Sequence, residues 1–413
     1  MKQGELSDYF DGIGTKLLQG TEVDPSVSRG HEFQGVSDFR AFLGSPEAKT
    51  SIPVTYVWLS DEMEPASVAL TGTWYDSRRG QSHREPEYRL YYPAASEEVV
   101  HRASAGDRLF LCKPKSGPLL AVLCPQGSSV EQQLLWLFGL KRGESYSIDQ
   151  VDLRGKAGRA LDISARHILE LIDIEITVTE DQWLHKLLNK FGESFPSTAK
   201  FSLFARQLTR DVDPVADPDS ALLYWMDLEE RLFMTLERHI VGERLKRGFI
   251  VDGQPDVDGF VQYSLSVQNR RKSRAGWAFA NHVEAMLKAH GLTYCREATT
   301  EKRNGPDFLF PTEEAYHDPS VPASSLTMLG VKTSCKDRWR QVLAEADRIA
   351  HKHLLTLEPG ISVAQTTEMN RANLHLVVPC SLHESFQPNQ RGAILSVAQF
   401  LEHVKKIGSG TVR

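Results

Sequence analysis

Pro306-Asp307-Phe308-Leu309-Phe310-Pro311 and, further on, Leu329-Gly330-Val331-Lys332-Thr333 are the stretches on which a reading of this 413-residue chain turns. Each is a short apolar run bounded by Pro or turn-forming residues, the pattern of a buried strand. The first opens with an aspartate. The second carries a lysine 25 positions later, inside an otherwise apolar run. A lysine there is costly unless an anion or carboxylate satisfies it. An Asp on one strand and a Lys on its neighbour suit metal-dependent phosphodiester cleavage. A hard divalent cation such as magnesium takes carboxylate oxygens and keeps several waters. The ammonium can position an attacking water or help deprotonate it, and can stabilise charge developing on the phosphate.

A single carboxylate is a weak cage for such a cation. Two residues before the lysine, where many nucleases of this kind carry a second acid, the chain has Gly330. The segment Arg338–His353 reads as a helix, and Glu345, two turns along from Arg338, shares its face. Glu345 is therefore assigned as the displaced ligand, whereas Asp347 projects elsewhere. Just after the lysine comes Lys336-Asp337-Arg338-Trp339-Arg340-Gln341. Arg can donate two hydrogen bonds to guanine and Asp can accept one from cytosine, so the alternation suits reading of G·C pairs. Plainer alternatives stay open at this point. Asp307 can cap a strand, Lys332 can snorkel from an edge, and Asp337 can simply favour a helix start.

Outward from this centre, the chain divides by texture. Up to about Leu140, short runs such as VTYVWLS, SVALTGTWY, YRLYY, RLFLCKP and LLAVLC read as strands of a mainly-β domain, with helices near Ser37–Leu43 and Val130–Gly139. The charged, Gly-containing stretch Lys141–Arg159 is the candidate junction. From about Ile163 apolar residues recur at helical spacing, above all in a long helix that stops at Gly248. Beyond it, a helix from Ala278 to His290 and strands at DFLF, TMLGVKT and LHLVVP precede a last helix, VAQFLEHVKKIG. That alternation indicates an α/β layer architecture. The domains are placed at 1–145, a helical linker at 146–190, and 191–413.

Composition narrows the possibilities. Hydrophobic residues make up 41% and charged residues 25%, which suits a globular chain. The formal net charge of -6 means that any nucleic-acid surface must be local. The five cysteines form no CxxC pair, so a reducing compartment and no zinc knuckle are expected. The first residues are too polar for a signal peptide, and no apolar run is long enough to span a bilayer, so no membrane partner is expected. Neither a GxGxxG, a Walker-type loop nor an HExxH is present, which disfavours a small-molecule metabolic enzyme.

Ser266–Gly276 (SVQNRRKSRAG), Pro306–Pro311, Ala315–Asp318 (AYHD), Val331–Gln341 (VKTSCKDRWRQ) and Glu345–Ile349 (EADRI) together resemble the catalytic domain of the EcoRII-type restriction endonucleases. The resemblance is dense from about Asp227 to Pro379. It implies a C-terminal α/β PD-(D/E)XK, restriction-endonuclease-like domain behind an N-terminal mainly-β DNA-binding pseudobarrel. It also implies magnesium as cofactor, double-stranded DNA cut at CCWGG (W being A or T) as substrate, and a cognate DNA cytosine methyltransferase in the same system. A prokaryotic cytoplasmic setting follows, with a homodimer or a monomer as the cutting form.

Carried over residue by residue, Asp307, Lys332 and Glu345 are the catalytic positions, with Asp307 and Glu345 on the metal. Lys336, Asp337 and Arg338 read bases. Arg270, Arg271, Lys272 and Arg274, ahead of a helix opened near Gly276, clamp the DNA backbone. In the N-terminal domain, Ser28–Phe33 and Tyr75–Glu85 correspond to two DNA-gripping arms, which puts Arg29, His31, Arg78, Arg79 and Arg84, with Arg89 just beyond, on DNA. The family often places a Glu four residues past Gly276. Here that position is Ala280, with Glu284 the nearest acid. Some members flip a base, which needs an aromatic platform. Tyr224 and Trp225 are candidates, although such a pair on a helix is more often core. The alternative is a non-catalytic, sequence-specific DNA-binding protein with a degenerate nuclease domain, which Gly330 and Ala280 keep open.

Overall fold

The computed structural model of the chain describes residues 6–28, 30–34, 39–81, 83–140, 149–150, 163–174, 181–209, 211–301, 305–335 and 338–409. The chain forms two compact units, one of Met1–Glu175 with Gly360–Val363, the other of Ile176–Pro359 with Ala364–Arg413. Except for Asp149–Gln150, the expected junction Lys141–Arg159 lies outside the described residues. No helix among the described residues is long and apolar enough to cross a membrane.

The first unit is a β half-barrel. Its strands are β1 (Phe10–Leu17), β2 (Glu32–Phe33), β3 (Thr50–Trp58), β4 (Ala66–Asp76), β5 (Tyr88–Tyr91), β6 (Arg108–Pro114), β7 (Leu119–Cys124) and β8 (Asp149–Gln150). They lie in the order β2-β5-β4-β3-β7-β6-β1-β8, antiparallel except where β3 meets β7. Short helices α1 (Gly20–Val23), α2 (Arg40–Leu43) and α3 (Glu97–Val100) sit among the strands, followed by α4 (Ser129–Leu137) and α5 (Ile163–Leu171). Alternate strand residues Val54, Tyr56, Trp58, Leu109, Leu111, Ala121 and Leu123 join one core, as a two-residue side-chain period requires. Strand β7 is buried on both faces, which explains its unbroken LLAVLC.

Strand β1 was hidden in the sequence by Gly12 and Gly14. A Cβ on Gly12 would fall 2.3 Å from the Phe42 ring, and one on Gly14 would fall 2.2 Å from that of Phe39. The glycines are there so that two rings can lie on the strand, not to break it.

In the second unit, α6 (Asp181–Phe191), α7 (Thr198–Gln207), α8 (Pro218–Arg247) and α9 (Val257–Ala289) pack around Leu187, Phe201, Leu228, Leu232, Phe233 and Leu236. Asp217 caps α8 by accepting from Ser220 N at 3.0 Å, and Gly248 ends it at φ +74°. A small hairpin, β9 (Ile250–Val251) with β10 (Gln254–Pro255), leads into α9. The helix expected from Ala278 therefore begins well before it, at Val257, and Gly276 lies inside it rather than at its start. Exposed apolar residues, Val257 and Phe260 among them, masked its first half.

The remainder is a mixed sheet in the order β11 (Cys295–Arg296), β12 (Phe308–Phe310), β13 (Thr327–Val331), β14 (Lys352–Leu355) and β15 (Leu374–Val377). β12 is antiparallel to both neighbours, whereas β13, β14 and β15 run parallel. Helices α10 (Glu313–His317), α11 (Trp339–Leu343), α12 (Val363–Arg371), α13 (Pro388–Arg391) and α14 (Val397–Ser409) complete the unit. The helix expected over Arg338–His353 is thus corrected. Only five residues are helical, Ala346 turns the chain at φ +49°, and Lys352 and His353 enter the sheet as its buried fourth strand.

Candidate active site

Antiparallel pairing of Phe308 with Leu329 sets the end of β13 beside the residue that precedes β12. That residue is Asp307. Its Oδ2 accepts from the Val331 N–H at 2.6 Å and from Lys332 Nζ at 2.8 Å. Lys332 follows β13 directly, and its own N–H donates to Leu355 O of β14 at 3.0 Å. The Asp307 side chain keeps 31% of its exposure and Lys332 14%, so the pair is fixed yet faces a reachable surface.

Gly330 is occupied space rather than a gap. A Cβ there would stand 3.0 Å from Val342 Cγ2 of α11 and 3.7 Å from Leu354. A side chain at that position would press on Val342, which would have to give by a few tenths of an ångström. The same helix delivers Glu345 two residues past its end, through Ala344 and the 3.2 Å bond from Glu345 N to Val342 O. Glu345 is buried, and its Oε2 has no hydrogen-bond partner among the described residues. Burial pushes its carboxyl up to about 7. The Lys332 ammonium opposes the rise, the Asp307 charge adds to it, and Lys352 opposes it again. Asp307, Lys332 and Glu345 thus share one electrostatic neighbourhood.

The donor set fits a hard divalent cation. Among the described residues no cluster of three or more His, Cys, Asp or Glu could hold a metal by itself. A cation of the magnesium kind needs only one or two protein carboxylates when water and phosphate complete its shell. A buried carboxylate oxygen with nothing to bond is what such a cation would satisfy.

Other predicted positions fare differently. Lys336 and Asp337 lie outside the described residues, as does Arg29. Arg338 is exposed at the start of α11, beside the buried Trp339. Glu284, the substitute considered for the acid missing at Ala280, is already used. It accepts from Tyr294 Oη at 2.9 Å and pairs with Arg296 at 2.7 Å and Lys288 at 2.8 Å. It ties α9 to β11 and is not free for a metal.

The basic cluster sits mid-helix on α9 with its members facing different ways. Arg274 is buried, paired with Glu229 at 2.8 Å and stacked over Phe233 at 4.0 Å, which corrects the expectation that it clamps phosphate. Glu229 also meets the buried His282 at 2.7 Å, so Arg274 belongs to the helical core. Arg271 pairs with Glu237 at 2.6 Å and Arg270 lies over Phe195 at 4.2 Å. Lys272 is exposed, with no ion pair among the described residues. Trp225 is buried against His282, as the core alternative holds, while Tyr224 is part-exposed on α8.

In the first unit, the loop between β4 and β5 presents Arg79 and Arg84 to solvent. Arg78 pairs with Glu87 at 2.6 Å, and Arg89 bridges Glu32 at 2.8 Å and Glu87 at 3.0 Å. His31 stacks on Tyr92 with ring centroids 5.3 Å apart and lies 3.2 Å from Glu97. Arg78, Arg89 and His31 therefore shape the loops, whereas Arg79 and Arg84 are the ones offered outward. Sequence reasoning missed Lys352 and Thr300, which hold the backbone beside Glu345. The one signal was a lysine opening the apolar run KHLL.

Residues 233–401 match the family model for the EcoRII C-terminal domain. That part of the chain is similar to the EcoRII C-terminal domain. The chain is 41% identical over 208 residues to the type II restriction enzyme EcoRII of Escherichia coli, a match covering 50% of this chain and 50% of that enzyme. The matched part thus spans about half the length of that curated relative. Among solved structures, metal-depleted Ecl18kI in complex with uncleaved, modified DNA superimposes with a TM-score of 0.46 at 16% identity, over 57% of this chain and 87% of that one. The restriction endonuclease PspGI–substrate DNA complex gives 0.44 at 16%, over 52% and 94%. The candidate centre, Asp307 through Glu345, lies wholly within the residues matched by that family model.

Proposed function

We propose that the chain is a type II restriction endonuclease, a hydrolase that uses magnesium to cut double-stranded DNA at CCWGG. The observation that carries this reading is the Asp307–Lys332 pair beside buried Glu345, whose Oε2 has no hydrogen-bond partner among the described residues. Asp307 and Glu345 would hold the cation, which supplies Lewis-acid stabilisation of the scissile phosphate. Lys332, anchored by Asp307, orients the attacking water and offsets negative charge gathering on the phosphoryl oxygens. The water oxygen forms a bond to phosphorus as the bond to the leaving sugar oxygen breaks; the attacking water gives up a proton to solvent and the leaving sugar oxygen takes one up from it.

In the same reading Lys336, Asp337 and Arg338 meet the C·G pairs. Lys272, with Arg270 and Arg271 behind it, lies along the backbone, and Arg79 and Arg84 of the half-barrel contact a second stretch of DNA. The domain limits 1–145, 146–190 and 191–413 belong to this proposal, as do a prokaryotic cytoplasmic setting and a companion cytosine methyltransferase. Gly330 by itself does not argue for a degenerate nuclease, because a side chain there would press on Val342 and Glu345 offers a carboxylate from the turn that follows α11. Incubation with plasmid bearing CCWGG, with magnesium and with EDTA, tests the reading. Discrete fragments whose mapped ends fall at CCWGG, formed only with magnesium, are expected. Intact plasmid in both arms would refute it.

A further inference from the structure

Glu345 is carried by a turn that needs outside support. α11 has ended at Leu343, and Ala346 takes a positive φ that a residue with a side chain rarely adopts unless its surroundings impose it. Side chains from three other segments, buried except for Glu301, supply that imposition. Lys352, the first residue of β14, donates from Nζ to the carbonyl of Glu345 and, at 3.0 Å, to that of Ala346. From the other side, three consecutive N–H groups are met in turn. Ala346 N donates to Thr300 Oγ1 at 3.2 Å, Asp347 N to Glu301 Oε2 at 3.0 Å and Arg348 N to Tyr316 Oη at 3.2 Å. Tyr316 donates to the Glu301 carboxylate at 2.6 Å, and Arg348 closes on the carbonyls of Tyr316, Asp318 and Val321.

We propose that Lys352 and Thr300 are positioning residues for Glu345, gripping its turn by the carbonyls on one side and by an N–H on the other so that the carboxylate is presented to a divalent cation beside Asp307. The inference rests on the reading of Glu345 as a metal ligand. A buried ammonium is an expensive way to satisfy carbonyls that water would satisfy on an exposed turn. Its use makes sense where the turn must stay dry and its carboxylate must keep one place. Groups that orient a metal ligand change metal affinity on the order of 10–100-fold when removed.

The test uses the full chain. Mn2+ binding is followed by electron paramagnetic resonance of the free ion, beside the Mg2+ concentration for half-maximal cleavage and DNA affinity in EDTA. Lys352→Met and Thr300→Val should each weaken Mn2+ binding and raise the Mg2+ requirement about tenfold or more. DNA affinity should stay within about twofold, and Thr300→Ser, which restores the hydroxyl, should recover Mn2+ binding. If Lys352→Met does not fold, the Thr300 pair decides alone. Wild-type Mn2+ affinity in folded Lys352→Met and Thr300→Val overturns the inference when Glu345→Gln still loses the ion. Unchanged Mn2+ binding in Glu345→Gln would instead remove the reading of Glu345 on which the inference stands.

Discussion

Replacing Glu345 by Gln should stabilise the protein while removing the proposed DNA cleavage. The carboxyl is held at about 7 in the folded chain against an ordinary value of 4.5. At 1.36 kcal/mol per pKa unit, that gap corresponds to about 3 kcal/mol. The sign follows from proton linkage. Below pH 4.5 both folded and unfolded chains hold the proton, so Glu345 contributes no pH dependence. Between 4.5 and 7 the unfolded chain releases the proton and the folded one keeps it, so stability falls as pH rises, and it levels off above 7. Glutamine has no proton to release and is spared this loss. Urea unfolding in EDTA, at pH 8 and at pH 4.5, should therefore show the variant more stable by up to about 3 kcal/mol at pH 8 and nearly equal at pH 4.5. Thermal unfolding should follow, at roughly 2–4 °C per kcal/mol for a unit of this size. A variant no more stable than wild type at pH 8, or equally displaced at both pH values, would show that Glu345 is not a desolvated, uncompensated carboxylate.

Gly330→Asp would restore an acid two residues before Lys332, yet its Cβ would press on Val342 at 3.0 Å. A loss of about 1–3 kcal/mol in urea unfolding is expected; an unchanged midpoint would contradict it. Lys272→Ala should weaken DNA binding alike for all sequences and lower the salt slope by about 1. Arg274→Met should instead cost stability, on the order of 3–5 kcal/mol, because Glu229 is left with less than its share of positive charge. Filter binding over a salt series, beside unfolding curves, separates the two. Arg338→Ala should reduce discrimination at a C·G pair by roughly 1–3 kcal/mol in competition binding, and unchanged preference would rule out direct reading by that side chain.

Much of the site's first layer was legible. Asp307 and Lys332 stood out because each is a charged residue at an apolar strand, and the structure joins them at 2.8 Å. Glu345 could be named as a carboxylate on the segment after the lysine, but not its setting, since the turn at Ala346 depends on Thr300, Glu301, Tyr316 and Lys352 from distant parts of the chain. The expected helix runs on into the first two residues of β14, because Lys352 and His353 look like a solvated face, whereas both are buried. Arg274 misled for the opposite reason. Four basic residues close together suggest a phosphate-binding surface, but a helix points them in different directions, and only a partner such as Glu229 reveals which one faces inward. Tertiary partners, which no local pattern contains, account for each of these errors.

Single-turnover cleavage of a CCWGG duplex by Asp307→Ala and Lys332→Ala, each paired with DNA binding measured in EDTA, tests most directly whether these residues form one hydrolytic centre. Cleavage in magnesium should be lost in both variants while each still binds the duplex. Cutting at the wild-type rate by either one would contradict it.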